Sequence, residues 1–129
     1  MPGVRVIEES AFYGCTELTD VEFGDKLESI GETAFGCCTN LSTIEIPKVR
    51  IIGAHAFIGC DELWEVKLSE DLETICRGAF YGCHILRRIT IPLKDNLLEN
   101  DEVFGECWPL STVDLVGGIH KTVSSLLLD

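Results

Sequence analysis

The chain has 129 residues, 46% of them apolar and 25% charged, a balance that fits one globular domain with a single core. Its formal charge of -12 sets 10 lysines and arginines against 22 carboxylates; this disfavours nucleic acid and anionic membrane surfaces as partners, because affinity for a polyphosphate rests on cationic side chains displacing counterions. No apolar run approaches the roughly 20 residues that span a bilayer, so membrane insertion is not expected, and Met1 to Phe12 lacks the basic region and apolar stretch of a signal peptide.

From Val4 onward one pattern returns along the chain. Ala-Phe occurs at Phe12, Phe35, Phe57 and Phe80, and Val-Phe at Phe104, at spacings of 23, 22, 23 and 24 residues. Three residues after each phenylalanine stands a cysteine: Cys15, Cys38, Cys60, Cys83 and Cys107. Six after stands a leucine: Leu18, Leu41, Leu63, Leu86 and Leu110. Nine and eleven after come the apolar pairs Val21 and Phe23, Ile44 and Ile46, Val66 and Leu68, Ile89 and Ile91, and Val113 and Leu115.

The apolar pairs alternate with polar residues, as in a half-buried strand. One such strand cannot bury its own apolar face. Stacking successive coils in parallel, about 4.8 Å apart, pairs every strand with its neighbours and runs each apolar column through the interior. The Ala-Phe-x-x-Cys stretch is too short for a regular helix and is expected to make one helical or 3-10 turn on the opposite wall. Pro47 and Pro92 follow Ile46 and Ile91, where a missing N–H ends a ladder.

With Leu41 to Pro47 reading LSTIEIP and Val49 to Cys60 reading VRIIGAHAFIGC, the chain resembles the BspA-type class of leucine-rich repeats over roughly residues 4 to 115. The resemblance implies a right-handed solenoid. A parallel β-sheet lines its concave side, and short turns and short strands make the other walls. Members are mostly surface or adhesion proteins, so it also implies protein or matrix binding without choosing a ligand. An array of about five coils is expected over residues 1–116, the first truncated before Val4, with residues 117–129 as a tail. In that tail Ile119, Val123, Leu126 and Leu127 have helical spacing, suited to a short helix capping the last coil. The N-terminal end carries no such cap, which suggests a segment of a longer array that could associate end to end.

The pattern breaks in a few places. Glu99 takes the position held by Ile7, Ile30, Ile52 and Ile75, and one extra residue lengthens that coil, so it should be the least regular, with Leu97 and Leu98 filling the space. Cys37 and Glu106 stand in a column otherwise made of Gly14, Gly59 and Gly82; ordinary helical-turn geometry is expected there, because positive φ would cost a non-glycine residue about 1 kcal/mol or more.

Catalytic constellations are absent from the sequence. His55, His84 and His120 lie in different coil positions, and no serine or carboxylate recurs beside them to assemble a triad, so no enzyme is expected. One thiol per coil does not converge tetrahedrally, no C-x-x-C or calcium loop occurs, and no metal or cofactor is implied. The column cysteines read as small buried fillers, while Cys37 and Cys76 fall outside the column and are the more exposed. Unpaired thiols suit a reducing compartment, although a cell-surface location is open if the chain is part of a longer one. Asn40-Leu41-Ser42 is a formal glycosylation sequon at the entrance to a strand and reads as a chance match.

The functional expectation falls on the outer face of the strands. Alternation directs Asp20 and Glu22, Thr43 and Glu45, Glu65 and Lys67, Arg88 and Thr90, and Thr112 and Asp114 away from the core, on the concave sheet. Just before them Trp64 and Arg87 occupy equivalent positions on adjacent coils, within reach of a cation–π pair, and Glu65 and Arg88 are lateral neighbours. Tryptophan and arginine are enriched in binding hot spots. The expected partner-binding residues are therefore Trp64, Glu65, Lys67, Arg87, Arg88, Glu22 and Glu45, on a non-catalytic scaffold for a protein partner. The rival expectation is a structural spacer or an end-to-end assembly segment.

Overall fold

The computed structural model describes residues 1–99, 101–115 and 119–121, with the backbone alone for 101 and 119–121. It is a β-solenoid of about five coils. A sheet of two-residue strands, β1 (Val6–Ile7), β2 (Ser29–Ile30), β4 (Ile51–Ile52) and β6 (Thr74–Ile75), forms one wall, all parallel and in the order β1-β2-β4-β6. The longer strands β3 (Thr43–Ile46), β5 (Glu65–Leu68), β7 (Arg88–Ile91) and β8 (Thr112–Leu115) form the second sheet, also parallel. β3 and β7 stop at Ile46 and Ile91, immediately before Pro47 and Pro92.

Equivalent residues of successive coils lie side by side inside. The rings of Phe12, Phe35, Phe57, Phe80 and Phe104 make one file, with centroids 5.1, 5.3, 5.3 and 5.8 Å apart and planes within 12° of parallel. Beside it runs the thiol column. Cys38, Cys60, Cys83 and Cys107 are buried, and each Sγ donates to the carbonyl of the phenylalanine one coil back, Phe12, Phe35, Phe57 and Phe80, at 3.3, 3.2, 3.2 and 3.0 Å. Each thiol therefore fills volume and also gives a second donor to a carbonyl already bonded to the cysteine N–H of its own turn, as Cys15 N does to Phe12 O at 3.1 Å.

The turn wall corrects the expectation for Cys37 and Glu106. Their φ angles are +55° and +58°, in line with Gly14, Gly59 and Gly82 at +73°, +68° and +74°. The cause is an alternation of hydrogen bonds. The N–H groups of Thr33, Phe35 and Cys37 donate to Ala54, Ala56 and Ile58 of the next coil at 3.0, 2.8 and 2.7 Å, whereas those of Ala34, Gly36 and Cys38 donate three residues back within their own turn. Turning alternate amides outward requires left-handed backbone on either side of the phenylalanine, and a continuous helical turn cannot provide it. Among the described residues a 3-10 helix forms only at Asp101–Phe104, in the fifth coil.

That coil is the irregular one, as Glu99 foretold. The narrow sheet continues beyond β6 only as a single bridge from Ile75 to Leu98, while Leu97 is buried and Leu98 packs against the core. The tail differs from its expected helix where it is described: Ile119–Lys121 is a strand, β9, antiparallel to β8. The free edge of β8 offers unpaired backbone groups that an antiparallel return satisfies and a helix starting at Ile119 would not. The rest of the expected tail helix lies outside the described residues.

Candidate functional site

The concave face is built by alternation within β3, β5, β7 and β8. Ile44, Ile46, Val66, Leu68, Ile89, Ile91, Val113 and Leu115 point inward and are buried, which turns the residues between them out of the core. The register sets Thr43 beside Glu65, Glu65 beside Arg88, and Arg88 beside Thr112; in the second column Glu45 lies beside Lys67, Lys67 beside Thr90, and Thr90 beside Asp114. Every bonded lateral pair is either opposite in charge or contains a neutral residue, the combination that stabilises neighbouring strands.

The expected first strand is missing. Residues 20–23 belong to no sheet, and among the described residues no backbone hydrogen bond joins 18–24 to β3. Phe23 stays buried, edge-on to Phe35 at 5.6 Å, and Val21 packs against the core, so the side chains keep their columns while the backbone ladder fails. Extending the register backward would put Glu22 beside Glu45, the one like-charged lateral pair on this face. Like charges in directly opposed positions on neighbouring strands are destabilising.

At this point the face opens into a cleft of about 610 Å³ whose wall includes Asp20, Glu22, Thr43, Glu45, Glu65 and Lys67. Four of the seven expected binding residues, Glu22, Glu45, Glu65 and Lys67, thus share one cavity. The other three sit apart from it. Arg88 donates from Nε to Asp114 Oδ2 at 2.6 Å, a contact that holds its guanidinium above the ordinary value, with Glu65 adding to the effect. Trp64 is 43% exposed and Arg87 is exposed on the rim. They do not form the expected cation–π pair: the coils join there through the backbone, with the N–H groups of Arg87 and Arg88 donating to Trp64 O at 3.0 and 3.2 Å, and no ring–cation contact occurs among the described residues.

Elsewhere charge is paired laterally. Arg5, Glu28, Arg50 and Glu73 follow one another beside the narrow sheet, with contacts of 3.6 Å for Arg5–Glu28 and 2.7 Å for Arg50–Glu73. The Arg50 guanidinium hydrogen-bonds Glu73 and holds its carboxyl below the usual carboxylate range.

Sequence reasoning missed Trp108. It is 76% exposed and stacks on His84, centroids 5.4 Å apart, with Ile85 exposed alongside. Both residues stand four positions after a phenylalanine, so aligning that column, and not the strand columns alone, would have made them neighbours. Asn40 of the sequon donates its amide to Thr16 O at 2.7 Å, bridging two coils. Among the described residues no cluster of three or more His, Cys, Asp or Glu is placed to hold a metal ion, and no helix is long and apolar enough to cross a membrane.

Comparison with known proteins gives consistent likenesses. A family model described as BspA type leucine rich repeat region matches residues 2–111 in six copies. A leucine-rich repeat protein from Bacteroides ovatus is similar to 70% of the chain at 38% identity, with a TM-score of 0.67. The Treponema pallidum leucine rich repeat protein is similar to 85% at 24% identity, with a TM-score of 0.71, a likeness of fold alone. The chain spans 24% of the first protein's length and 62% of the second's. No curated protein matches it.

Proposed function

The chain belongs to the BspA-type leucine-rich-repeat family, and we propose that it is a non-catalytic scaffold binding a protein partner through its concave sheet. The observation that carries this reading is the concave face, with Glu22, Glu45 and Glu65 on the wall of the cleft and, apart from the cleft, the indole of Trp64 exposed one residue before Glu65. Glu22 and Glu45 make no salt bridge among the described residues, and Glu65 acts on Arg88 only beyond salt-bridge distance, although the same molecule pairs Arg50 with Glu73 and Arg88 with Asp114. Aromatic and charged groups left facing solvent on a rigid sheet suit a macromolecular interface, where a few anchors dominate affinity.

The test is capture of a partner from source lysate by the intact chain and by the Trp64→Ala/Arg87→Ala double variant. Loss of the captured protein with an unchanged circular dichroism spectrum supports the reading; undiminished capture defeats it.

A second reading, a spacer that assembles end to end, draws on the first coil, where Val4 and Val6 are 38% and 47% exposed and, among the described residues, β1 pairs with β2 alone. Sedimentation velocity over a dilution series separates the two, since concentration-dependent chains favour the spacer.

A further inference from the structure

From the open edge of β3 and the charge around it, we infer that the concave cleft takes an extended, lysine- or arginine-bearing segment of a protein partner, which adds to β3 as a strand. The inference rests on the concave-face reading and names the partner's chemistry.

The backbone supplies the first argument. In β5 and β7 the outward-facing residues are the ones whose N–H and C=O groups turn toward the preceding coil, as Arg88 N does toward Trp64 O. The equivalent residues of β3 are Thr43 and Glu45, and among the described residues the preceding coil makes no backbone hydrogen bond to them. Two donors and two acceptors on β3 therefore face a neighbour that leaves them unused. A sheet edge in this condition is the template that strand addition uses, with main-chain bonds giving affinity and alternate side chains giving specificity. Four residues of β3 extend over about 13 Å, enough to register a short segment.

Charge then selects the occupant. Asp20, Glu22, Glu45 and Glu65 border the cleft, against two cations, Lys67 and the Met1 ammonium, whose N–H donates to the Glu22 carbonyl at 3.1 Å. The chain's own first coil fails to close on β3 where Glu22 would meet Glu45, so an acidic strand meets the same repulsion. A strand with cationic side chains directed at Glu22 and Glu45 converts the one unfavourable lateral pair on this face into two favourable ones, and an acidic or neutral strand does not.

The experiment titrates the chain with a short alternating Lys–Thr peptide and with a Glu–Thr peptide of equal length, reading affinity by calorimetry and the Thr43 and Glu45 amides by hydrogen exchange. The Lys–Thr peptide should bind at least tenfold more tightly and protect both amides. Glu22→Gln/Glu45→Gln should weaken it at least tenfold, while Glu28→Gln/Glu73→Gln, with the same change in net charge on another wall, should leave it unchanged. Glu22→Lys should close the first coil onto β3, protect the same amides without peptide, and remove binding. Equal weakening by both glutamine pairs, or binding without amide protection, would overturn the inference. If Lys–Thr peptide fails to bind while partner capture still depends on Trp64 and Arg87, the strand-addition inference falls and the scaffold reading stands; loss of both removes both.

Discussion

Replacing Phe57 with alanine tests the stacked file directly. Phe57 is fully buried and lies between Phe35 and Phe80, each 5.3 Å away and within 4° of parallel. Removing a buried phenylalanine costs about 3–5 kcal/mol, a range that includes the cavity it leaves. Phe12 has one ring neighbour in the file, Phe35 at 5.1 Å, and is only partly buried, so Phe12→Ala should cost about 1.5–3 kcal/mol, the value of burying such a side chain, or less. In a solenoid each coil contacts only its neighbours, so the central truncation weakens two interfaces and the terminal one weakens one. Urea unfolding followed by far-ultraviolet circular dichroism gives both values. The central variant should lose more stability and should also broaden or split the transition, as the outer coils uncouple. Equal losses at the two positions would refute the one-dimensional stacking on which the difference depends.

Two further outcomes follow from the turn wall and the thiol column. Gly82 has φ +74°, and a Cβ there would meet the Gly59 backbone at an ordinary contact distance of 3.7 Å, so Gly82→Ala should cost about 1–2 kcal/mol from backbone conformation alone; a neutral result by urea midpoint would mean that the turn relaxes. Burial, with the neighbouring Cys60, pushes the Cys38 thiol up from 9.0 to about 11. The unfolded chain then loses this proton at lower pH than the folded one, so stability should be full below about pH 9 and fall toward pH 11, by on the order of 2 kcal/mol from this group. Midpoints measured at the two ends of that window in the native chain and in Cys38→Ala should show a shallower slope in the variant, and identical slopes would remove Cys38 as the cause.

The columns were legible in the sequence because stacking converts periodicity into contact: Phe35, Cys60 and Leu63 could be placed inside by counting alone. The turn wall was not. Its left-handed positions carry Ser10, Thr33, His55 and Cys37 as well as glycines, and the driving force is a bond to a carbonyl about 22 residues ahead, which local propensity does not report. Within the candidate site, alternation identified Glu22, Glu45, Glu65 and Lys67 as outward residues. It did not show that Arg88 would turn to Asp114, or that Trp64 and Arg87 would meet through backbone and not through side chains. Those outcomes depend on rotamers and on competing partners one coil further along.

The departures from periodicity are where this array acquires individual properties. A repeat that satisfied every column would present the same strand, the same turn and the same lateral pairs from end to end, with nothing to distinguish one stretch of the face from another. Glu99 in an isoleucine column reduces the narrow sheet to a single bridge at Leu98, and the only 3-10 helix among the described residues follows in that coil. The larger interruption lies at residues 20–23, where the register would set Glu22 against Glu45: the concave sheet stops there without disturbing the core beneath, and Phe23 remains buried on Phe35. A core defect would have cost stability through a cavity, but an interruption confined to the surface ladder leaves the core intact and an edge of β3 unused. The stability of the solenoid and the openness of the β3 edge are therefore expected to depend on different residues, which is why Glu22→Lys should close that edge while Phe57→Ala should destabilise the coils around it.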